Sequence, residues 1–475
     1  MDFSNFLLMR QELSLVAVFV ILFLYDVFCS DNTKKAFQPV ACVLFALHTV
    51  SGFFPASMGE AFGGLYVNSH IAVLMKNILN IATMLVFLQA GHWLKTDESV
   101  HKRGEYFTIM LVTLLGMYLM VSAGNFMMLY IGIETASLPM ACLAAFNKSA
   151  EKSAEAGVKY ILISALSSGV MLFGMSFLYG VSGTMYFSDM KAVITIDPLL
   201  IMGFVFFFSG LAFKLSLVPF HLWTADVYEG APTSVTAYLS VASKGAAAFA
   251  LIFVLYKVFG NIEVVWNQIL WWSAVITITL GNLFAVRQKD IKRFLAFSSI
   301  SQAGYILLGI ISGTAQGMTA TAYYVLVYVF SNLAAFGVIA AVENQTKGNT
   351  SISAFDGLYR SNPRLTFVMM LAVFSLGGIP PFAGFFSKFF IFMAAANQGE
   401  YLLVFIALLN TVISLYYYLL IVKAMFIKEK NEHAADRFVT DGYNKLSLIL
   451  CTVGILVIGI VSCIYNRFDS VAFGI

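Results

Sequence analysis

Long apolar runs separated by short polar stretches organise this chain. A helix that crosses a bilayer needs about 20 consecutive, mostly apolar residues. About fourteen runs reach that length: 12–29, 37–55, 71–94, 105–122, 125–146, 156–181, 198–224, 231–258, 268–286, 293–313, 318–342, 365–396, 401–427 and 446–465. Backbone exposed to lipid must satisfy its polar groups internally, so each run is predicted to be helical. The expected fold is therefore all-α, a polytopic membrane protein with about fourteen transmembrane helices, called spans 1 to 14 below.

Two spans are interrupted. Pro219 falls near the end of span 7, and Gly377, Gly378, Pro380, Pro381 and Gly384 cluster inside span 12. Proline removes a backbone donor and breaks a helix, so both spans should be discontinuous. A pair of broken helices at matching places points to a transporter built from repeats. The breaks lie five spans apart. Five is odd, so a five-helix duplication must be inverted across the membrane. The expected organisation is an N-terminal unit at 1–104 (spans 1–3), a first repeat at 105–262 (spans 4–8), an inverted second repeat at 263–428 (spans 9–13) and span 14 within 429–475.

Composition supports burial in lipid. Of the 475 residues, 60% are hydrophobic and 11% charged, against roughly half and a quarter in soluble domains. Mean hydropathy is +0.85. The first run has an acidic, weakly basic flank and no small-residue cleavage site, so it reads as a retained span. The net charge of +3 is too small to argue for nucleic acid.

The basic residues test the span count. With the N-terminal side called A, the loops on side B hold eighteen Lys and Arg, among them Lys34, Lys35, Lys102, Arg103, Lys292 and Arg293. Side A holds four: Arg10, Lys191, Lys257 and Arg467. Cytoplasmic loops carry the basic excess, so side B should be cytoplasmic and both termini outside. One span too many or too few would scramble this alternation.

Six lysines remain, and all fall inside spans: Lys76, Lys159, Lys214, Lys244, Lys388 and Lys423. A mid-membrane Lys costs at least about 2.5–3.5 kcal/mol, so such residues line wet paths or pair with one another. Desolvation brings a lysine towards exchange near neutral pH, as a proton relay requires. Lys214 precedes Pro219 by five residues, and Lys388 follows the span 12 break. Lys244 sits among small residues in SVASKGAAAFAL. The alternative for a single lysine is snorkelling to the headgroups. It is weighed evenly against proton entry for Lys159, and it or local pairing is favoured for Lys76. The depth of Lys423 is ambiguous.

Glu134, about ten residues into span 5, is the clear intramembrane carboxylate. It could pair with a lysine from a neighbouring helix, either as a static structural pair or as a switch. His221 could couple to the Lys214 break or serve as an interfacial histidine. His48 and His92 have no partner visible in sequence. Asp226 and Glu229 read as a capping loop, the tyrosines and tryptophans as interfacial anchors and packing, and the methionines as core filler.

Five cysteines, Cys29, Cys42, Cys142, Cys451 and Cys463, form no CxxC and lie in or beside apolar runs. No G-x-G-x-x-G or P-loop pattern occurs. The chain is not expected to hold a cofactor or a metal.

The stretch FKLSLVPFHLWTADVYEGAPTSVTAYLSVASK, 213–244, resembles the signature of the antiporter-like subunits of respiratory complex I, the bacterial NADH–quinone oxidoreductase. DVYEGAPT resembles the N type within that group. The segment IGIETASLPMACLAAFNKS around Glu134, EAGVKYILISALSSGVMLFGMSFLYG at 155–180 and SLGGIPPFAGFFSKFFIF at 375–392 agree. The likeness spans essentially the whole chain. One departure is Ala225, where the commoner form has Pro, and it touches only the loop.

The resemblance implies a proton-translocating membrane-arm subunit in the bacterial inner membrane, coupled to quinone reduction elsewhere in the complex. It implies a modulating pair of Glu134 and Lys214, a central relay at Lys244, a terminal exchange site at Lys388 and a less settled role for Lys159. Its partners would be neighbouring antiporter-like and small helical subunits. The competing readings are a subunit of a multisubunit cation/proton antiporter or membrane-bound hydrogenase, and a scaffold that pumps nothing.

Overall fold

The computed structural model describes residues 4–28, 36–91, 93–95, 102–432, 434–461 and 463–469. Cys29, Lys34, Lys35 and His92 lie outside the described residues. Each of the fourteen expected spans contains a helix. Among the described residues, twelve helices are long and apolar enough to cross a membrane, and three shorter apolar helices accompany them. Phe37–Ser51 is span 2. Pro363–Gly377 and Ala383–Asn397 are the two halves of span 12. Span 7 runs as Pro198–Leu215 and resumes as Leu222–Gly230.

Helix starts are set by local chemistry. Asp197 accepts from the Leu199 amide ahead of Pro198, and Asp290 accepts from the Arg293 amide. Asn125 and Thr314 cap their helices in the same way. These side chains satisfy donors that the first helical turn leaves free. A two-stranded hairpin, Gly59–Ala61 with Tyr66–Asn68, was not expected from the sequence and closes the loop between spans 2 and 3.

The spans hold together by shape. Lipid is as apolar as leucine, so helices associate through close packing at small residues. A Cβ on Gly116 would lie 2.3 Å from the Ala136 nitrogen, which brings spans 4 and 5 into backbone contact. A Cβ on Gly174 would lie 2.4 Å from the Phe207 nitrogen, joining spans 6 and 7. Helices Ile291–Ile311 and Ala315–Gln345, together with span 8, form the buried centre. Spans 1, 6 and 13 turn large apolar side chains outward, among them Phe28, Leu162, Leu166 and Val412.

The loops sort to two ends as the alternation requires. A cavity of about 760 Å³ is lined from the loops between spans 2 and 3, 4 and 5, and 6 and 7, with Lys257 at the end of span 8. All belong to side A. A second cavity of about 480 Å³ is lined by Trp93, Asn147, Thr233, Lys292 and Asn344, all from side B.

Candidate functional site: buried lysines at two helix breaks

Lys214 occupies the last turn of Pro198–Leu215, where Ser216 adopts a left-handed conformation with φ of 62° and ends the helix. Lys388 lies in the second half of span 12. Its ammonium reaches back over Gly378 and donates to the Gly377 carbonyl at 3.3 Å. Gly378 has φ of 83°, a conformation that favours glycine, and ends Pro363–Gly377. Both cations therefore sit at the C-terminal end of a half-helix. That end carries free carbonyls and the negative pole of the helix dipole, which favour a positive charge. The halves of span 12 touch at Gly384, where a Cβ would meet the Ser375 carbonyl oxygen at 1.7 Å.

Lys214 is buried and donates to the Tyr160 hydroxyl at 3.0 Å. Glu134 faces this region, and its charge reaches both Lys214 and Tyr160. The expected Glu134–Lys214 contact is not closed: among the described residues Glu134 forms no ion pair, and its Oε1 is buried without a hydrogen bond. The hydrogen-bond partner of Lys214 is Tyr160 rather than the carboxylate.

Lys244 is buried in the centre and donates to the Ser299 hydroxyl at 2.7 Å. The ring of Tyr228 lies 5.6 Å from its nitrogen. The backbone just before it, Leu239–Ser243, forms a π-helical turn that interrupts span 8. Such turns recur at functional sites, and no residue pattern announced this one. The hydroxyls of Tyr228 and Tyr328 lie beside Ser299 without a well-formed hydrogen bond to it.

Polar side chains continue from Lys244 towards Lys388. Gln302 accepts from Tyr324 and donates to Tyr418 at 3.3 Å. Ser331 donates to Ser375 at 2.7 Å. Gln302, Tyr328, Ser331 and Lys388 line one small cavity. The Tyr305 ring lies 4.8 Å from the Lys388 nitrogen.

Among the described residues, no carboxylate lies within 4.0 Å of Lys214, Lys244 or Lys388. The other three span lysines differ. Lys76 is wholly buried and pairs with Glu12 at 2.6 Å. Lys159 is partly exposed and pairs with Glu155 at 2.5 Å and Asp226 at 2.6 Å. Lys423 is exposed near the end of span 13.

Several sequence readings change here. Asp226 and Glu229 are not a capping loop. They lie within Leu222–Gly230 and bind Arg293 at 2.6 and 3.0 Å, because Lys152, Lys159 and Arg293 surround them from other spans. Glu134 is not the sole deep carboxylate, since Glu12 is buried too. Tyr160, Tyr228, Tyr305, Tyr417 and Tyr418 are interior residues, on the packing side of the reading given for the tyrosines. His221 is buried at the span 7 break with Nδ1 unpartnered, and its bonding does not tie it to Lys214. Lys292, counted as a loop residue, is buried and donates to the Ala231 carbonyl at 2.7 Å, with Glu343 at 3.9 Å. Its place at the start of an apolar run was the available signal.

A family model described as NADH:quinone oxidoreductase/Mrp antiporter, TM matches residues 123–414. A protein of Azobacteroides pseudotrichonymphae named NADH-quinone oxidoreductase subunit N is 68% identical, covering 100% of this chain and 99% of its own. A protein of the same name from Phocaeicola vulgatus is 54% identical over 99% of this chain and 100% of its own. Among solved structures, a chain of respiratory complex I from Thermus thermophilus with bound aureothin superposes with a TM-score of 0.82. Its identity is 27%, over 97% of this chain and 100% of that one.

Proposed function

The chain belongs to the NADH:quinone oxidoreductase/Mrp antiporter family, and on that footing we propose that Lys214, Lys244 and Lys388 pass protons in that order. The chain is a multi-pass, proton-pumping membrane-arm subunit of NADH–quinone oxidoreductase, of the N type, working beside the other membrane-arm subunits. Electron transfer and quinone reduction occur elsewhere in the complex, and in this reading the chain needs no cofactor of its own.

The observation that carries the relay is the absence of a carboxylate beside three buried lysines among the described residues. A fixed charge without a partner is expensive to bury. A group that gains and loses a proton is charged only for part of a cycle, held then by hydroxyls, carbonyls and ring faces. Glu134 acts on Lys214 through space. A change at the neighbouring subunit moves Glu134 towards or away from Lys214, and the lysine takes or gives a proton accordingly. Lys244 receives it through the Tyr228 and Ser299 region, and Lys388 exchanges it outward. Moving one charge against 100 mV costs about 2.3 kcal/mol, which a pKa change of about two units covers.

The basic excess on side B supports a cytoplasmic side B, with both termini outside. A scaffold accounts for Lys76 and Lys159, which are paired, but not for the three unpaired lysines. The test is Lys214→Ala in membranes with assembly verified. Loss of both proton pumping and NADH–quinone activity is expected. Full retention of both overturns the relay and favours the scaffold.

A further inference from the structure

Spans 1 to 4 enclose a second buried ionisable cluster, whose Glu12, Tyr66 and Lys76 lie outside both expected five-helix units. Lys76 pairs with Glu12 at 2.6 Å and donates to the Tyr66 hydroxyl at 2.9 Å. That hydroxyl donates to Glu12 at 2.8 Å. All three side chains are buried. Around them runs a connected set of polar groups: Ser14 with His48 at 2.8 Å, His48 with Tyr118 at 3.0 Å, and Tyr118 donating to Asn80. The Lys76 nitrogen lies 5.6 Å from the Tyr118 ring, which joins the two groups. Asn80 is one turn from Thr83, and Thr113 donates to Tyr238 of span 8 at 3.0 Å. Buried polar atoms of Gln11, Asn80 and Ser122 in this region have no hydrogen-bond partner.

This cluster adjoins the side A cavity. Val67 and Asn68, next to Tyr66, line it, as do His70 and Ile71 at the start of the helix that carries Lys76. Six residues of helix put Lys76 about 9 Å below His70. An ion pair buried this fully is weak evidence for stability, because desolvation offsets much of its attraction.

We propose that Glu12, Lys76 and Tyr66 form a second proton-exchange centre, releasing protons into the side A cavity; this rests on the proton-pumping reading above. A proton arriving by way of Tyr118 and His48 neutralises the Glu12 carboxylate and leaves the Lys76 ammonium without its counter-ion. Lys76 then gives its own proton to the cavity. The neutral amine takes the proton from Glu12 through the Tyr66 hydroxyl, and the ion pair is restored. One proton enters, one leaves, and no other group changes.

The experiment uses the whole complex in inverted membrane vesicles and reads protons moved per NADH oxidised. The double variant Glu12→Gln, Lys76→Met removes both charges together, so no lone charge stays buried. The expected result is an assembled complex that oxidises NADH with fewer protons moved per NADH. An unchanged ratio overturns the proposal and leaves a static pair. Should the double variant not assemble, Tyr66→Phe decides, because it keeps both charges and the ring. A lowered ratio supports exchange through the hydroxyl, and an unchanged ratio overturns it. Lys244→Met, run alongside, separates the two readings. If it pumps normally, the central relay fails; if it stops pumping while the double variant pumps normally, only the second centre fails.

Discussion

The breaks in spans 7 and 12 use one device with opposite attachments. In span 7 the lysine belongs to the half-helix before the break, and in span 12 to the half after it. Both ammoniums end beside the carbonyl end of the first half, where a cation is favoured. The surroundings differ. Lys214 bonds a tyrosine and lies within reach of the Glu134 charge. Lys388 has a backbone carbonyl and the Tyr305 ring, with no carboxylate nearby among the described residues. In the proposed relay, the same backbone geometry would serve a lysine governed by an acid and a lysine governed by its helix end alone. The first suits control by a neighbouring subunit. The second suits exchange that follows whatever proton the centre delivers.

That difference can be broken from the span 7 side. Glu134→Gln keeps the shape of the acid and removes its charge. Coupling between distinct sites is typically 1–3 kcal/mol, so proton pumping should fall by about tenfold. Dye-quenching in inverted vesicles, set against NADH oxidation, measures it. Wild-type pumping would mean that Lys214 is as independent of the acid as Lys388 is. Tyr160→Phe should do less. It removes one hydrogen bond to Lys214, worth about 1 kcal/mol, and so should cost pumping about fivefold while assembly is kept. A loss equal to that of Glu134→Gln would make the tyrosine, not the acid, the controlling partner.

How much of this could be read from the chain follows from which signals are local. Span lengths are local, and so are the Gly and Pro clusters at 377–384 and Pro219. All fourteen spans and both breaks were therefore legible, with Lys214 and Lys388 beside them. Partners across the fold were not. Nothing near Lys76 in sequence names Glu12, sixty-four residues away, and nothing near Lys159 names Asp226 in span 7. Tyrosine is chemically at home both at a membrane interface and in a polar interior, so composition could not separate Tyr160 or Tyr228 from an anchor. The π-helical turn before Lys244 leaves no residue signature. Glu134 was legible as a buried acid, but not the tyrosine that stands beside its intended partner.

Lys388 offers the most direct test, because among the described residues no acid lies at its break to compensate for a lost amine. The measurement is proton pumping by the assembled complex carrying Lys388→Ala, with NADH–quinone activity recorded in the same membranes. Terminal exchange at Lys388 predicts that pumping through this subunit is lost. Intact pumping, with assembly verified, would contradict a relay that ends at this lysine.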